Sequence, residues 1–290
     1  MTGHIVLSEQ NINKKLGKIY AVGGSMLKIA YVSDLHGNKN LYEKVCEFLE
    51  NNKDIKALII GGDLLPRGAT LDGAIRGQKE FLETYLIPKL KRIAIPVYLM
   101  MGNDDYRINM ALLEKEEKAK AFRLIHNKAQ AIGKHAIVGY SFVNETPFLL
   151  KDWEKLDDEN SKPLTDPKHD VRSAPAEKGT IAQDMRGLAK LSDPKKTFYV
   201  FHCPPFETEL DMLYDKRHVG SRSIRLFIEQ HQPPATFHGH VHESPIVSGE
   251  YASTIGKTIC FNPGSEYMDD LLTMVIADLD NPKEHEHEML

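Results

Sequence analysis

The sequence predicts an α/β protein that begins with a largely parallel sheet and ends with a second sheet surrounded by less helix. Three times in the first half, an apolar strand runs into a short polar loop and then into a segment with apolar residues at helical spacing. This alternation is typical of βαβ units, whose strands pair in parallel. Towards the other end, short strands follow one another closely, which favours a second, mixed or antiparallel sheet packed on the first.

The composition is that of a globular protein and excludes several classes. The 290 residues allow one large α/β domain or two small ones, and 41% of them are hydrophobic. The net charge of −4 gives no basic field to hold a nucleic-acid backbone. Cys46, Cys203 and Cys260 are odd in number and far apart, so no disulfide framework is predicted. No apolar run reaches the roughly 20 residues of a membrane helix, and we expect a cytoplasmic protein.

We expect one domain over residues 26–280 with a short segment at either side. Met26 opens MLKIAYVSD, a natural beginning for a first strand. Residues 1–25 lack the basic start and apolar run of a signal peptide and are interpreted as an N-terminal appendage. Residues 281–290 (NPKEHEHEML) are predicted to be a frayed tail. Half of the 28 residues over 151–178 are charged, which predicts a long surface excursion and a candidate lid.

The elements are predicted from hydrophobic spacing and capping residues. Asn40, with Glu43 three positions later, is the expected N-cap of the first helix. The strands of the first half are expected at 27–33, 57–60 and 97–101, and its helices between 40 and 49 and between 75 and 90. The second half is expected to hold strands at 136–142, 197–201, 235–237 and 274–279, with helices over 180–191 and around 224–228.

Five polar motifs stand directly after predicted strands. Carboxylate, amide and imidazole groups are ligands of first-row divalent metals, and ligands gather at the carboxyl ends of strands in open α/β sheets. Within D-x-H and H-x-H the two side chains point to the same side of an extended backbone. One such motif alone is weak, but five in this order predict a metal site. The motifs are Asp34-x-His36, Gly62-Asp63, Gly102-Asn103-Asp104, His202 and Gly239-His240-x-His242.

Seven of the other histidines are expected to be ordinary core or surface residues, because a single histidine without a motif is seldom a ligand. Those of the last segment are expected to lie in a solvated tail. The set comprises His4, His126, His135, His169 and His231, with His285 and His287 in the tail.

At these motifs the sequence resembles the calcineurin-like metallophosphoesterases, whose pattern is D-x-H, G-D, G-N-[HDC]-[DE], H and G-H-x-H. The corresponding stretches here are SDLH, GGD, GNDD, FHCP and GHVH, from Asp34 to His242. The later NPGS at 262–265 is similar to the close of many smaller bacterial and archaeal members. The resemblance implies a four-layer αββα sandwich of two mixed β-sheets flanked by helices, the metallophosphatase fold.

The resemblance also implies two divalent metal ions. Asp34, His36, Asp63 and His242 would hold the first, and Asp63, Asn103, His202 and His240 the second, with Asp63 bridging them. Manganese is the preferred metal, followed by iron or zinc, and the ligand set also admits cobalt or nickel. The implied reaction is hydrolysis of a phosphate ester by a bridging hydroxide.

The sequence departs from many members of this family at Asp104, where they carry a histidine that assists the leaving group. An ionised carboxylate would repel a phosphate oxygen. Two roles therefore remain open: Asp104 is a protonated general acid, or it orients another group. The acid role needs strong desolvation or a like charge, and Asp105 is the candidate for that charge although adjacent extended residues point apart.

Further substrate contacts are hypotheses. His218 is a candidate catalytic residue, and Arg222, Asn38 and Asn103 are candidate contacts to the substrate phosphate. The competing interpretation of the 215–222 stretch is helix capping by Ser221 or Ser223.

Three functions are compared. The first is hydrolysis of a small phosphorylated substrate, either a phosphodiester or a phosphomonoester, with the departure at Asp104 slightly favouring diesters. The second is a nuclease, against which the acidic balance argues. The third is a catalytically silent scaffold, against which the full set of ligand residues argues. The sequence leaves the oligomeric state open.

Overall fold

The computed structural model describes residues 26–68 and 70–290, and within these ranges the chain forms two six-stranded mixed sheets. The appendage predicted over 1–25 lies outside the described residues. The first sheet has the strand order β12-β11-β1-β2-β3-β4, and the second has the order β5-β6-β7-β8-β10-β9. The strands are β1 (Lys28–Val32), β2 (Ala57–Ile60), β3 (Val97–Leu99), β4 (Arg123–Leu124), β5 (Ala129–Ile132), β6 (His135–Tyr140), β7 (Thr197–Phe201), β8 (Ala235–Phe237), β9 (Ala252–Ile255), β10 (Thr258–Phe261), β11 (Thr273–Asp278) and β12 (His285–Met289).

Helices cover the outer faces of the sheets. They are α1 (Lys39–Asn51), α2 (Leu71–Phe81), α3 (Ile87–Leu90), α4 (Met110–Lys118), α5 (Ile181–Leu188), α6 (Arg222–His231) and α7 (Ser244–Ser248). The short α4 and α7 were not predicted from the sequence. Among the helices of the described ranges, none has the length and apolar character needed to cross a bilayer.

Alternation along the buried strands produces the predicted four layers. In β1, Ile29 and Tyr31 join the cluster between the two sheets, whereas Ala30 and Val32 join the cluster beneath the helices. Successive side chains point to opposite faces of a strand, so a strand that is apolar throughout must be covered on both faces. The sheets are also joined by a hydrogen bond of 2.9 Å from the hydroxyl of Tyr31 to the carbonyl of His238. The predicted fold class is confirmed.

Parallel pairing brings the carboxyl ends of many strands to one rim. Strands β1 to β4 are parallel in the first sheet, and β6, β7, β8 and β10 are parallel in the second. The loops that follow β1, β2, β3, β7 and β8 therefore meet at one end of the sandwich. These are the loops that carry the five polar motifs.

Two helices of the first half differ from the prediction, one in its N-cap and one in its hydrogen bonding. Helix α1 is capped by Asn38, whose side-chain oxygen accepts from the backbone N–H of Asn40 and Leu41, so Asn40 is not the N-cap. The predicted helix over 75–90 contains a π-helical turn at Leu82–Leu86 between α2 and α3. Pro88 follows this turn and lacks the N–H that a regular α-helix would require of it, which accounts for the irregular hydrogen bonding.

The charged segment over 151–178 packs against the domain and contains no helix or long strand in the structure. Trp153 is buried, and its indole N–H donates to the carbonyl of Asp105 at 2.9 Å. The buried Lys155 pairs with Asp184 of α5 at 2.6 Å. Some charged side chains of this segment therefore attach it to the domain, and not all of them face solvent as they would in a lid.

Asp157 anchors the same segment to the beginning of α6. Its carboxylate accepts hydrogen bonds from the hydroxyl of Ser221 and from the backbone N–H of Arg222 and Ser223, at 3.0 and 3.1 Å for the two backbone donors. Ser221 also caps the helix by accepting from Ile224, which confirms the capping interpretation of this stretch. A carboxylate at a helix N-terminus gains from the helix dipole as well.

The prediction of a frayed tail over 281–290 is wrong, because residues 285–289 form β12 and pair with β11 in antiparallel register. His285 and His287 are half-buried, and both contact Tyr251. Its hydroxyl lies 2.9 Å from Nδ1 of His285, and its ring stacks on that of His287 with the centroids 4.5 Å apart. The polar composition of this segment does not predict a strand, although alternate side chains of the strand pack on the second sheet.

The anchoring role of Asp157 gives a stability prediction. We expect Asp157→Ala to lower the free energy of unfolding by about 1.5–3 kcal/mol, since it strands one hydroxyl and two backbone donors in a buried place. Asp166→Ala removes a carboxylate from an exposed turn of the same segment and should cost no more than about 0.5 kcal/mol. Urea denaturation followed by circular dichroism measures both, and equal losses would contradict the anchor.

Candidate metal centre

The structure brings the seven predicted ligand residues together at one rim. Five of them, Asp34, His36, Asp63, Asn103 and His202, are at most 5% exposed, whereas His240 and His242 are half-buried. The first four come from the first sheet and the three later histidines from the second. The site therefore lies where the two sheets meet.

The carboxylate–histidine group consists of Asp34, His36, Asp63 and His242. One donor atom from each lies within 4.8 Å of the others, a spacing that could hold a metal ion. Nε2 of His36 lies 3.1 Å from Nε2 of His242, which in turn lies 3.3 Å from Oδ1 of Asp34. Nε2 of His36 is 3.7 Å from Oδ2 of Asp63. This is the set that the family resemblance implied for the first metal.

The amide–histidine group consists of Asn103, His202 and His240, beside the same Asp63. The side-chain oxygen of Asn103 lies 3.0 Å from Nε2 of His202 and 2.6 Å from Nδ1 of His240. Nε2 of His202 is also 3.5 Å from Oδ1 of Asp63. The two oxygens of Asp63 thus face different groups.

Charge at the centre is divided between two carboxylates and the imidazoles around them. Burial opposes ionisation of Asp34, but His202, His242 and His36 outweigh it and hold the pKa of Asp34 well below its usual range. The same balance, led by His202, lowers the pKa of Asp63 to about 2. Against the effect of burial, the two carboxylates raise the pKa of His202 to about 10. Both carboxylates therefore demand positive charge nearby, which a proton or a divalent cation can supply.

Burial dominates at the other histidines that face the centre. It lowers the pKa of His36 to about 4, and burial together with the cationic His202 lowers the pKa of His240 to about 3. Neutral imidazole is the form that binds metals. Within the described part of the chain, the buried Nδ1 of His36 has no hydrogen-bond partner.

Strained backbone and close glycines support this arrangement. Asp34, His36, Asp63 and His240 have positive φ angles of 57°, 44°, 49° and 66°. Non-glycine residues adopt this region at a cost of roughly 1–3 kcal/mol each, and such residues cluster at functional sites. A Cβ added to Gly102 would clash with Oδ1 of Asp63 and stand 2.7 Å from Cε1 of His202, so this glycine lets the loop pass behind the centre.

Backbone groups and outer side chains orient the ligand residues. Nδ1 of His202 lies 2.9 Å from the carbonyl of Gly61, which directs Nε2 towards the centre. The backbone N–H of His240 donates to the carboxylate of Asp34. Ser265, in the NPGS stretch, donates from its hydroxyl to the carbonyl of Asp34 at 2.7 Å.

Asp105 has a structural role that the sequence did not reveal. Its buried carboxylate accepts from the backbone N–H of Leu64, Leu65 and Gly102 at 2.9–3.0 Å. It thereby ties the loop after β2 to the loop after β3. The like charge that raises the pKa of Asp104 comes from Asp63, not from Asp105 as the sequence suggested.

Asp104 lies beside the centre and pairs with Arg67, a residue that sequence reasoning did not single out. Oδ2 of Asp104 accepts from Nε of Arg67 and lies 3.6 Å from Nδ1 of His36. Burial, followed by the charge of Asp63, raises the pKa of Asp104 to about 6, although Arg67 acts in the opposite direction. At neutral pH this carboxylate is therefore mainly ionised and pairs with the guanidinium.

Tyr267 completes this wall of the site. Its hydroxyl accepts from Arg67 at 3.0 Å, and its ring packs on that of His36 with the centroids 4.3 Å apart. Arg67 follows the Gly62-Asp63 motif by four positions, which was a weak signal in the sequence. Tyr267 follows the NPGS stretch by two positions, and no sequence pattern indicated that a residue there would reach the centre.

The other predicted substrate contacts have structural partners in the protein, and their roles at a substrate stay predictions. Besides capping α1, Asn38 donates from its side-chain amide to the carbonyl of Tyr267 and to Asp270, so its hydrogen-bonding groups are occupied. His218 is half-buried and bonds Asp211 at 2.7 Å, and the exposed Arg222 lies over the ring of Phe206. These three side chains stabilise the surrounding structure, and none of the contacts named here is to a predicted metal ligand.

The space behind the centre gives a metal-binding prediction. We expect Gly102→Ala to weaken divalent-metal binding by about 10–100-fold, because its Cβ would displace Asp63 or His202. Gly187→Ala is the matched control, since Gly187 lies in the last turn of α5 and nothing lies within 4 Å of the added Cβ. That change should leave binding unaltered and alter the free energy of unfolding by less than about 1 kcal/mol. Calorimetric titration with Mn²⁺ measures the affinities, and equal affinities in both variants would contradict the argument.

Comparison with known proteins places this geometry in a family. The sequence profile of the calcineurin-like phosphoesterase family matches residues 27–244, which is more than half of the chain. No curated protein matches the chain. One solved crystal structure superposes with a TM-score of 0.62 at 16% identity, covering 91% of this chain and 98% of the other. The protein TT1561 of Thermus thermophilus superposes with a TM-score of 0.59 at 17% identity, with the same coverage. At such identities the structures show the fold alone, but the profile spans all five motifs, and the chain belongs to the calcineurin-like phosphoesterase family.

Proposed function

We propose that this chain is a binuclear metal-dependent phosphoesterase that hydrolyses a phosphate ester of a small molecule. The observation that carries the proposal is the convergence of seven oxygen and nitrogen ligands from two sheets, with Asp63 between the two groups. Asp34, His36, Asp63 and His242 would hold one ion, and Asp63, Asn103, His202 and His240 the other. Manganese remains the preferred metal on ligand chemistry, with iron, zinc, cobalt and nickel as alternatives.

The donor set suits divalent cations on three counts. The two buried carboxylates need compensating positive charge, and the surrounding imidazoles can supply neutral nitrogen ligands. The carbonyl of Gly61 fixes the orientation of His202, which is the outer support that metal-bound histidines usually have. The buried Nδ1 of His36 lies 3.6 Å from Oδ2 of Asp104, and a closer approach of the two groups would give His36 the same support.

Two divalent cations bound here would lower the pKa of a water molecule and neutralise charge on the phosphate oxygens. The protein's own contribution is to hold the ligands rigidly, through strained loops and close glycines, and to shield one side of the site from water. Arg67 is placed to bind a phosphate oxygen, because its guanidinium is fixed by Asp104 and Tyr267 at the edge of the centre. The contact with Arg67 favours the second of the two roles considered for Asp104, that of orienting another group.

Metal dependence gives the first test. With Mn²⁺ we expect hydrolysis of bis-p-nitrophenyl phosphate or p-nitrophenyl phosphate, and EDTA should abolish it. His242→Gln should lower kcat/KM by about 10³-fold or more, since several kcal/mol of transition-state stabilisation depend on the ion. His169→Gln, at an exposed histidine of the 151–178 segment, is the control and should retain full activity.

The same assay separates the alternatives. A higher kcat/KM on the diester than on the monoester would assign a phosphodiesterase. Cleavage of plasmid or single-stranded DNA would instead support a nuclease. Failure of every divalent metal to support hydrolysis would leave the fold as a scaffold and overturn the proposal.

Asp104 gives a second test based on leaving groups. If Asp104 orients Arg67, Asp104→Asn should lower kcat by a similar factor on p-nitrophenyl esters and on esters of poorer leaving groups such as alkyl alcohols. A general acid is needed most for poor leaving groups. A loss confined to the alkyl esters would therefore contradict the orienting role and restore the acid role.

A further inference from the structure

A cavity of about 230 Å³ opens on the same rim of the sandwich as the metal centre, and His242 forms part of its wall. It lies between the end of β12, helix α7 and the loop that follows β10. β12 runs in the same direction as β1, because both are antiparallel to β11. Met289 at the end of β12 therefore lies at the same end of the first sheet as Asp34.

The cavity presents an apolar surface although several polar residues line it. Ser265 and Thr273 direct their hydroxyls to the backbone carbonyls of Asp34 and Gly264, and His287 faces the carbonyl of Pro263. These groups are thus satisfied within the protein. The rest of the lining is mainly apolar and includes Pro245, Ile246, Tyr251, Pro263 and Met289.

The mouth of the cavity is apolar as well. Two of its lining residues reach solvent, since Ile246 is 59% exposed and Met289 is 53% exposed. Exposed apolar side chains beside a polar reaction centre are typical of a ligand site. The stacked rings of Tyr251 and His287 give one wall a fixed aromatic surface.

Size and charge restrict what the cavity can take. Its volume is below the roughly 300–1,000 Å³ of pockets that hold whole drug-sized ligands, so it suits a single ring or a short branched chain. Glu266 also lines it and disfavours a second anionic group. The occupant that fits is neutral, apolar and about the size of one ring.

We propose that this cavity binds the non-reacting organic group of a phosphodiester whose phosphate lies at the metal centre. The substrate class is then a phosphodiester that carries a neutral, ring-sized apolar or aromatic substituent. This inference rests on the proposed function, since the phosphate must be held beside His242. The cavity would let the enzyme distinguish phosphodiesters by their organic substituent, which the metal ligands alone cannot do.

The test compares phenyl p-nitrophenyl phosphate with methyl p-nitrophenyl phosphate on the Mn²⁺-loaded protein. Both esters release p-nitrophenol, so they differ mainly in the group that the cavity would hold. We expect a higher kcat/KM for the phenyl ester. Ile246→Trp should fill the mouth and reduce the phenyl-to-methyl ratio by about tenfold, while activity on the methyl ester changes little.

Two variants make this measurement specific. Leu226→Trp is the matched control, because Leu226 is 62% exposed on α6 and does not line the cavity. Its ratio should equal that of the unaltered protein. Met289→Trp narrows the cavity at a second lining residue and serves if Ile246→Trp has a lowered melting temperature.

A binding measurement provides a readout that does not depend on turnover. In Zn²⁺-loaded protein with labelled methionine methyl groups, phenylphosphonate should shift the signal of Met289, and methylphosphonate should not. The signal of Met268, which is 80% exposed and outside the cavity, should stay in place. Ile246→Trp should remove the shift.

The outcomes separate the two proposals. Hydrolysis of both esters with a ratio unchanged by Ile246→Trp and Met289→Trp overturns the assignment of the cavity and leaves the phosphoesterase intact. An unmoved Met289 signal at saturating phenylphosphonate has the same meaning. Failure to hydrolyse either ester with any divalent metal overturns the proposed function, and the inference falls with it.

Discussion

Two carboxylates, Asp34 and Asp63, are held almost completely out of water where the sheets meet, and much of the structure serves to make that tolerable. An isolated buried carboxylate is costly, so each must be surrounded by donors and positive charge. Backbone N–H groups, a cationic His202 and neighbouring imidazoles provide this. The strained φ angles at both residues show that the loops are shaped to keep the carboxylates together, although strain and burial oppose it.

Local pattern and resemblance predicted most of the architecture, because the information lay in short stretches. An apolar strand such as Ala57–Ile60 has the same limits in the structure as in the prediction, since its burial on both faces leaves no polar residue inside it. The four residues that form the carboxylate–histidine group could be named because the resemblance to a known family implied them as one ligand set. Parallel pairing then explains why residues some two hundred positions apart meet.

The failures of prediction share a physical origin, which is that they depend on contacts distant in sequence. The strand β12 alternates histidine and glutamate, and only the ring of Tyr251 and the neighbouring β11 give that alternation a buried side. Arg67 and Tyr267 meet across 200 positions, and neither belongs to a ligand motif. The cap of α1 was expected at Asn40, but Asn38 provides it, and the amide of Asn38 also binds Asp270, which is distant in sequence. In each case the tertiary partner decides the role.

The division of the seven ligands between the sheets has a consequence for the molecule as a whole. Asp34, His36, Asp63 and Asn103 belong to one half of the sandwich, and His202, His240 and His242 belong to the other. Any cation shared by them fastens the two halves at one end of the sandwich. If the predicted ligands bind such a cation, folding and metal uptake would be coupled, and the melting temperature would rise with the cation concentration. The metal centre would then also hold the two sheets together, and the strength of that contact would depend on the concentration of metal in the cell.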